Sequence, residues 1–304
     1  MKSYTAPLTT LQCKKLRDLL KAQDFEFVEK PYTQFSARKG KLSVSVYEKG
    51  PKVLIQGKDT RDFIEFHLEP EVLGVAAMGY EEIHDPQMFS PHFGIDESGK
   101  GDYFGPLVIA GVFTDHEVTK QLMKAGIMDS KKVNSAAKIR QLAEVIRSTP
   151  GVEFYIMTLA PQRYNETYQQ FGNLNKMLAW GHASVIEKLL QLVPDCPRTL
   201  SDQFAKPFVL QKALAAKKLK ITLDQRTGGE SDIAVAAASI LARERFVEWM
   251  DKTSVAGGVT LPLGASASVI SAAKQVIQKH GNEALGKVVK LHFKTTQQVI
   301  GDLI

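Results

Sequence analysis

Gly94-Ile95-Asp96-Glu97-Ser98-Gly99-Lys100-Gly101-Asp102 joins two adjacent acids to a glycine-rich turn, and Val108-Ile109-Ala110-Gly111-Val112-Phe113 follows closely. The second run is apolar throughout and bounded by turn residues, as a strand buried in a sheet is. On a continuous strand Asp96 and Glu97 would point to opposite faces. For both to meet one site, the chain is expected to turn at residues 98–101. Glycines permit that turn and let backbone N–H groups approach a phosphate or hydroxyl closely, with Lys100 adding charge. The G-x-x-x-x-G-K-[ST] spacing of a P-loop is absent. Taken alone, the stretch reads more readily as a solvated hairpin turn, so its chemistry depends on its company.

That company lies downstream. Residues 136–146 read as a helix, 153–157 as a strand and 174–192 as a second helix. Thr199-Leu200-Ser201-Asp202 follows a proline-rich turn, and 234–250 is a long helix rich in small residues. Strands alternating with helices predict an α/β unit, a mixed sheet with flanking helices. Asp202 closes its segment, where the C-terminal end of a strand would present it beside its neighbours. Glu230 and Asp232 stand just before Ile233-Ala234-Val235-Ala236-Ala237-Ala238. One of them is expected to cap that helix, and a carboxylate there can also hold a hard cation. The alanine run signals close helix packing. Carboxylates gathered at one sheet edge repel unless cations bind between them. Oxygen-only donors suit Mg²⁺ or Mn²⁺, and without clustered Cys and His zinc is disfavoured. Two such ions ~3.5–4 Å apart would activate a water and stabilise the leaving oxygen of a phosphodiester.

Upstream, the first 84 residues read as a small α+β unit. Thr9 or Thr10 can cap a helix carrying Leu11, Leu16, Leu19 and Leu20 at helical spacing. Three strands are expected, over 33–37, 42–46 and 53–56, with Lys49-Gly50-Pro51 turning between the last two. Asp59 or Thr60 then caps a second helix through Phe63, Ile64 and Phe66. Between residues 30 and 58, seven basic residues (Lys30, Arg38, Lys39, Lys41, Lys49, Lys52 and Lys58) stand against Glu48 alone. That excess equals the formal charge of +6 on the whole chain. It is expected on an open sheet face, either as edge-protecting lysines or as a surface that tracks phosphates. Residues 84–91 hold two prolines and no periodicity. The expected organisation is therefore a unit over 1–84, a linker over 85–92 and a second unit over 93–304.

At 304 residues the chain suits two domains of the usual ~100–200 residues. Its 44% hydrophobic and 24% charged composition is that of ordinary globular protein. No run approaches the ~18–20 apolar residues of a membrane-spanning helix, and no apolar stretch follows Met1-Lys2 as a secretory signal requires. Two distant cysteines, Cys13 and Cys196, lack metal-ligand spacing and suggest a reducing cytoplasm. A pI near 9.1 permits a nucleic acid partner without requiring one.

Taken together, these residues resemble the type-2 ribonucleases H, specifically the ribonuclease HIII branch, over essentially the whole chain. The motif from Gly94 extends through Tyr103-Phe104-Gly105-Pro106-Leu107, with lysine between the glycines where the HII branch has arginine. Asp129-Ser130-Lys131-Lys132, Tyr164-Asn165-Glu166, Asp202-Gln203-Phe204-Ala205, the helix sequence through Arg243, Leu261-Pro262-Leu263-Gly264-Ala265-Ser266 and Lys290-Leu291-His292-Phe293 also fit. The resemblance implies an RNase H-like catalytic fold behind a small N-terminal TBP-like domain that binds substrate. It implies an endonuclease that cuts the RNA strand of an RNA–DNA hybrid and leaves 3′-hydroxyl and 5′-phosphate ends. Asp96, Glu97 and Asp202 match the metal-binding acids. The fourth acid is Glu230 or Asp232, because the interval before the alanine-rich helix is one residue shorter than usual. Ser98, Gly99, Lys100 and Gly101 match the segment whose backbone contacts ribose 2′-hydroxyls, the group that separates RNA from DNA. Lys131 and Lys132 are expected near phosphate, and Lys39 and Lys41 on the N-terminal surface that carries the duplex. His182 and His292 are expected to be structural, and a monomer is the default.

Overall fold

The computed structural model describes residues 3–74, 81–127 and 135–301, and the chain divides into two compact units, residues 1–86 and 87–304. Lys131 and Lys132 lie outside the described residues. Among the described residues no helix is long and apolar enough to cross a membrane.

The first unit runs β1 (Ser3–Pro7), α1 (Thr10–Ala22), β2 (Glu26–Val28), β3 (Thr33–Lys39), β4 (Leu42–Tyr47), β5 (Lys52–Gln56), α2 (Thr60–Phe63) and α3 (Glu81–His84). Its strands pair antiparallel in the order β1-β5-β4-β3-β2. The three expected strands are present, and two edge strands join them. β1 and β2 escape a reading of the sequence because they are short and largely exposed, so the ladder rather than an apolar pattern holds them. Thr9 caps α1 in a reciprocal pair with Gln12, satisfying two helix-end donors. α2 continues as a π-helical segment, Ile64–Leu73, with Pro70 inside it. Pro70 lacks the N–H an α-helical ladder needs, and Phe66 is exposed.

Period-two alternation places Ala37, Val44, Val46, Val53 and Ile55 on one face, fully buried against Leu16 and Leu20 of α1 and Ile64 and Leu68. The opposite face carries Ser36, Ser45 and Leu54 in register, with the Ser36 and Ser45 hydroxyls 2.9 Å apart. Hydroxyls occupy the centre of this face, and Arg38 on β3 and Lys52 on β5 share its parity. Lys30 reaches over to donate to Ser45 Oγ at 3.2 Å, and Arg38 pairs with Glu26. Lys39 shares the parity of Phe35 and Ala37, so it falls on the helix-bearing side and donates to the Gln23 carbonyl at 2.7 Å. Lys41 is exposed in the β3–β4 turn.

The second unit continues with β6 (His92–Ser98), β7 (Leu107–Thr114), α4 (His116–Lys124), α5 (Ala136–Ser148), β8 (Glu153–Leu159), α6 (Pro161–Phe171) and α7 (Leu174–Leu192). Then follow β9 (Arg198–Asp202), α8 (Phe208–Ala216), β10 (Thr222–Arg226), α9 (Ile233–Gly257), α10 (Ala267–His280), α11 (Asn282–Leu285) and α12 (Lys294–Gly301). The five strands order β10-β9-β6-β7-β8. β6, β7 and β8 form an antiparallel meander, while β9 runs parallel to β6 and β10 parallel to β9. β7 is buried on both faces: Val108, Ala110 and Val112 join the core with α9, and Leu107 and Ile109 join the core with α7. A Cβ on Gly94 would lie 2.1 Å from the Ala234 carbonyl carbon and 2.2 Å from the Val235 nitrogen, so glycine and the alanine run together let β6 and α9 touch. Met88 and Phe89, within the stretch expected to act as a linker, are buried in this unit's core.

Candidate active site

Ile95 pairs with Ser201 across parallel β6 and β9, which sets Asp96 beside Asp202 at the C-terminal ends of neighbouring strands. Ligand sites of open α/β sheets lie at such ends. A cleft of about 350 Å³ opens there, lined by Asp96, Glu97, the 98–101 turn, Asp102, Asp202, Glu230, Ser239 and Arg243. The turn is not what unites the two adjacent acids, contrary to the expectation above. β6 stays extended through Ser98, and the acids reach one cleft because the sheet ends there and both of its faces open onto it.

The two faces treat the acids differently. Asp96 lies on the α9 side, accepting from the Ser239 hydroxyl and from the Glu97 N–H at 2.8 Å. Burial, then the charges of Glu97 and Asp202, raise its carboxyl well above the usual carboxylate range despite those bonds. Glu97 lies on the α7 side, where Oε2 meets His182 Nε2 at 3.1 Å and Oε1 accepts from Lys100 Nζ at 2.7 Å. Burial opposes its charge, but His182 and Lys100 outweigh that and hold it low. His182 is fully buried, and its Nδ1 sits 3.1 Å from Ser201 Oγ, whose hydroxyl donates to the Asp202 carbonyl. One histidine therefore braces both acid-bearing strands. Asp202 Oδ1 accepts from the Gly229 N–H at 2.9 Å, tying β9 to the short 3₁₀ turn Gly229–Ser231 that carries Glu230.

Glu230 and Asp232, alternatives in the sequence, diverge in space. Glu230 lines the cleft. Asp232 is the buried N-cap of α9, accepting from the Ala234 and Val235 N–H groups, with His92 Nε2 3.1 Å from both oxygens. Burial disfavours its charge, but the His92 hydrogen bond and charge, the Val235 N–H and Arg226 together lower its carboxyl. The structure therefore does not bring Asp232 to the cleft. Gly99 adopts φ +87°, and a Cβ there would lie 2.3 Å from the Pro106 carbonyl, so only glycine fits the turn. His292 packs against Tyr168 at 4.2 Å between ring centres, outside the cleft lining. Ser239 and Arg243 went unassigned in the sequence. Their four-residue spacing on α9 was the available signal, since it puts both on one helix face.

The donor set is hard oxygen from Asp96, Glu97, Asp202 and Glu230, crowded enough to raise Asp96, and this chemistry fits Mg²⁺ or Mn²⁺. As the side chains stand, among the described residues no three Asp, Glu, His or Cys groups converge to enclose an ion. Lys100 takes one oxygen of Glu97, and Gly229 takes one of Asp202.

A mixed sheet with acids at the ends of its central parallel strands, braced by one helix on each face, defines the ribonuclease H-like class. The family model for ribonuclease HII matches residues 93–296. Over 304 residues, 99% of each chain, the protein is 43% identical to ribonuclease HIII of Protochlamydia amoebophila. It is 41% identical to ribonuclease HIII of Chlamydia pneumoniae over 97% of each chain. The crystal structure of Bst-RNase HIII in complex with Mn²⁺ aligns with a TM-score of 0.68 and 28% identity, covering 99% of this chain and 98% of that one. The chain belongs to the ribonuclease HIII family, and is thereby a ribonuclease H, a metal-dependent endonuclease.

Proposed function

We propose that this enzyme hydrolyses the RNA strand of RNA–DNA hybrids by two-metal catalysis, leaving 3′-hydroxyl and 5′-phosphate ends. Asp96, Glu97, Asp202 and Glu230 would hold two Mg²⁺ or Mn²⁺ ions, which supply an activated water and charge stabilisation at the leaving oxygen. The observation that carries this reading is the convergence of Asp96, Glu97, Asp202 and Glu230 on one cleft at the ends of neighbouring parallel strands. Asp232 is left out because His92 and two backbone N–H groups already engage its oxygens.

The rest of the site deals with the substrate strand. His182 orients Glu97 through one oxygen and leaves the other, now on Lys100, to face the cleft. Glu97 would hold a cation through that oxygen, and the Lys100 ammonium beside it suits a substrate phosphate. Arg243 sits one helical turn from Ser239 on the cleft wall and, among the described residues, makes no ion pair, so its guanidinium suits a substrate phosphate. The 98–101 turn meets the ribose 2′-hydroxyl, and the N-terminal unit holds the duplex by shape.

The test pairs an end-labelled hybrid with matched double-stranded DNA and double-stranded RNA, each in Mg²⁺, Mn²⁺ or chelator. Metal-dependent cutting of the hybrid's RNA strand alone, with 3′-hydroxyl ends, is the expected result. Cutting in chelator, or 3′-phosphate ends, overturns the mechanism; equal cutting of double-stranded RNA overturns the substrate.

A further inference from the structure

Lys290 has no place in the chemistry above, yet it is fully buried beside the cleft. Its ammonium donates to three main-chain carbonyls, Gly105 at 2.7 Å, Asp102 at 2.8 Å and Phe104 at 3.3 Å. Among the described residues no carboxylate pairs with it, and the Tyr164 ring lies 5.5 Å from Nζ. Its own backbone N–H donates to the Tyr103 carbonyl at 2.8 Å, the Gly105 N–H donates to Val288, and Phe104 bridges to Val289. Residues 288–290 thus grip all four residues of the loop 102–105.

That loop begins where the 98–101 turn ends. The Asp102 N–H donates back to the Gly99 carbonyl, closing the turn, and Asp102 Oδ1 accepts from the Gly264 N–H at 2.7 Å. Asp102 is therefore held at its N–H, its carboxylate and its carbonyl, the last by Lys290. Burying an ammonium is costly, and burial pulls this one down to about 7 against the charge of Asp102. An apolar side chain would fill the same space without that cost but could not gather three carbonyls.

We infer that Lys290 is a positioning residue for the reaction: by collecting the carbonyls of residues 102, 104 and 105 it sets the geometry in which the 98–101 turn meets the substrate ribose. This rests on reading that turn as the ribose contact. The test is Lys290→Met in the full chain, with steady-state kinetics on the hybrid, Mn²⁺ titration of the protein alone, and thermal melting. A KM raised roughly tenfold or more, with kcat and Mn²⁺ affinity little changed, is expected. A lowered melting temperature with unchanged KM makes Lys290 merely structural and overturns the inference. Should the Met variant melt below the assay temperature, Lys290→Gln is assayed in the cold with the same two outcomes. A parallel arm gives the parent enzyme a hybrid lacking one 2′-hydroxyl beside the cut. A parent indifferent to that change refutes the ribose reading; a sensitive parent with an unmoved variant KM refutes only the role of Lys290.

Discussion

Adjacent residues in this site have opposite electrostatic fates because alternation sends them to different neighbours. Asp96 meets Ser239 and two other acids, whereas Glu97 meets His182 and Lys100. Asp96→Asn is expected to lower cleavage by at least about 10³-fold while a filter-binding assay still detects the hybrid. Glu230 and Asp232, two residues apart, should separate just as clearly. Glu230→Gln is expected to reduce activity with little effect on melting. Asp232→Asn removes the negative charge that faces buried His92 and Arg226 and should cost about 3–5 kcal/mol of stability, read by denaturant unfolding. The sign of its pH dependence follows from linkage: the folded carboxyl titrates below its unfolded value of 3.8. Its stabilisation is present above about pH 4 and fades as pH falls through the lower folded value. The stability gap between parent and Asp232→Asn should therefore narrow in acid; a constant gap would count against the ion pair.

Among the elements, β6, β9 and α9 carry the site, with Asp202 at the end of β9. β6 supplies Asp96, Glu97 and the turn, while α9 supplies Ser239, Arg243 and, just ahead of its cap, Glu230. The contact of β6 with α9 depends on Gly94, where any side chain would run into the α9 backbone. Gly94→Ala should cost about 1–3 kcal/mol or more through forced separation, and should lower activity further than melting alone explains, because the acids move apart from Glu230. Arg243→Ala is expected to raise KM for the hybrid severalfold with melting unchanged; an unaltered KM would remove Arg243 from the phosphate path.

At the level of the whole molecule, the two units have separate cores, so removing residues 1–86 should leave the acid cleft folded. Hybrid affinity is expected to fall, and its dependence on salt to flatten as phosphate contacts are lost. Equal affinity and salt slope in the shortened chain would exclude the N-terminal unit from duplex binding. Lys30 lies over the buried Ser36–Ser45 hydroxyl pair there, with Arg38 and Lys52 on the same side, so the face offers cations to a duplex backbone.

The linear pattern alone determined that this chain folds as an α/β unit behind a smaller α+β one. Uninterrupted apolar runs and helical spacing report burial directly, and the acids at 96, 97, 202, 230 and 232 stand out as carboxylates ending or preceding such runs. Where propensity and burial were weak, as in β1 and β2, the pattern was silent. Only the tertiary structure divided Glu230 from Asp232, because both suit a helix start and what separates them is His92, 140 residues away from Asp232. The same holds for His182 beneath Glu97 and Lys290 behind the turn. Local sequence specifies which elements form, but these partners meet only through sheet register and helix packing, which no short stretch of sequence encodes.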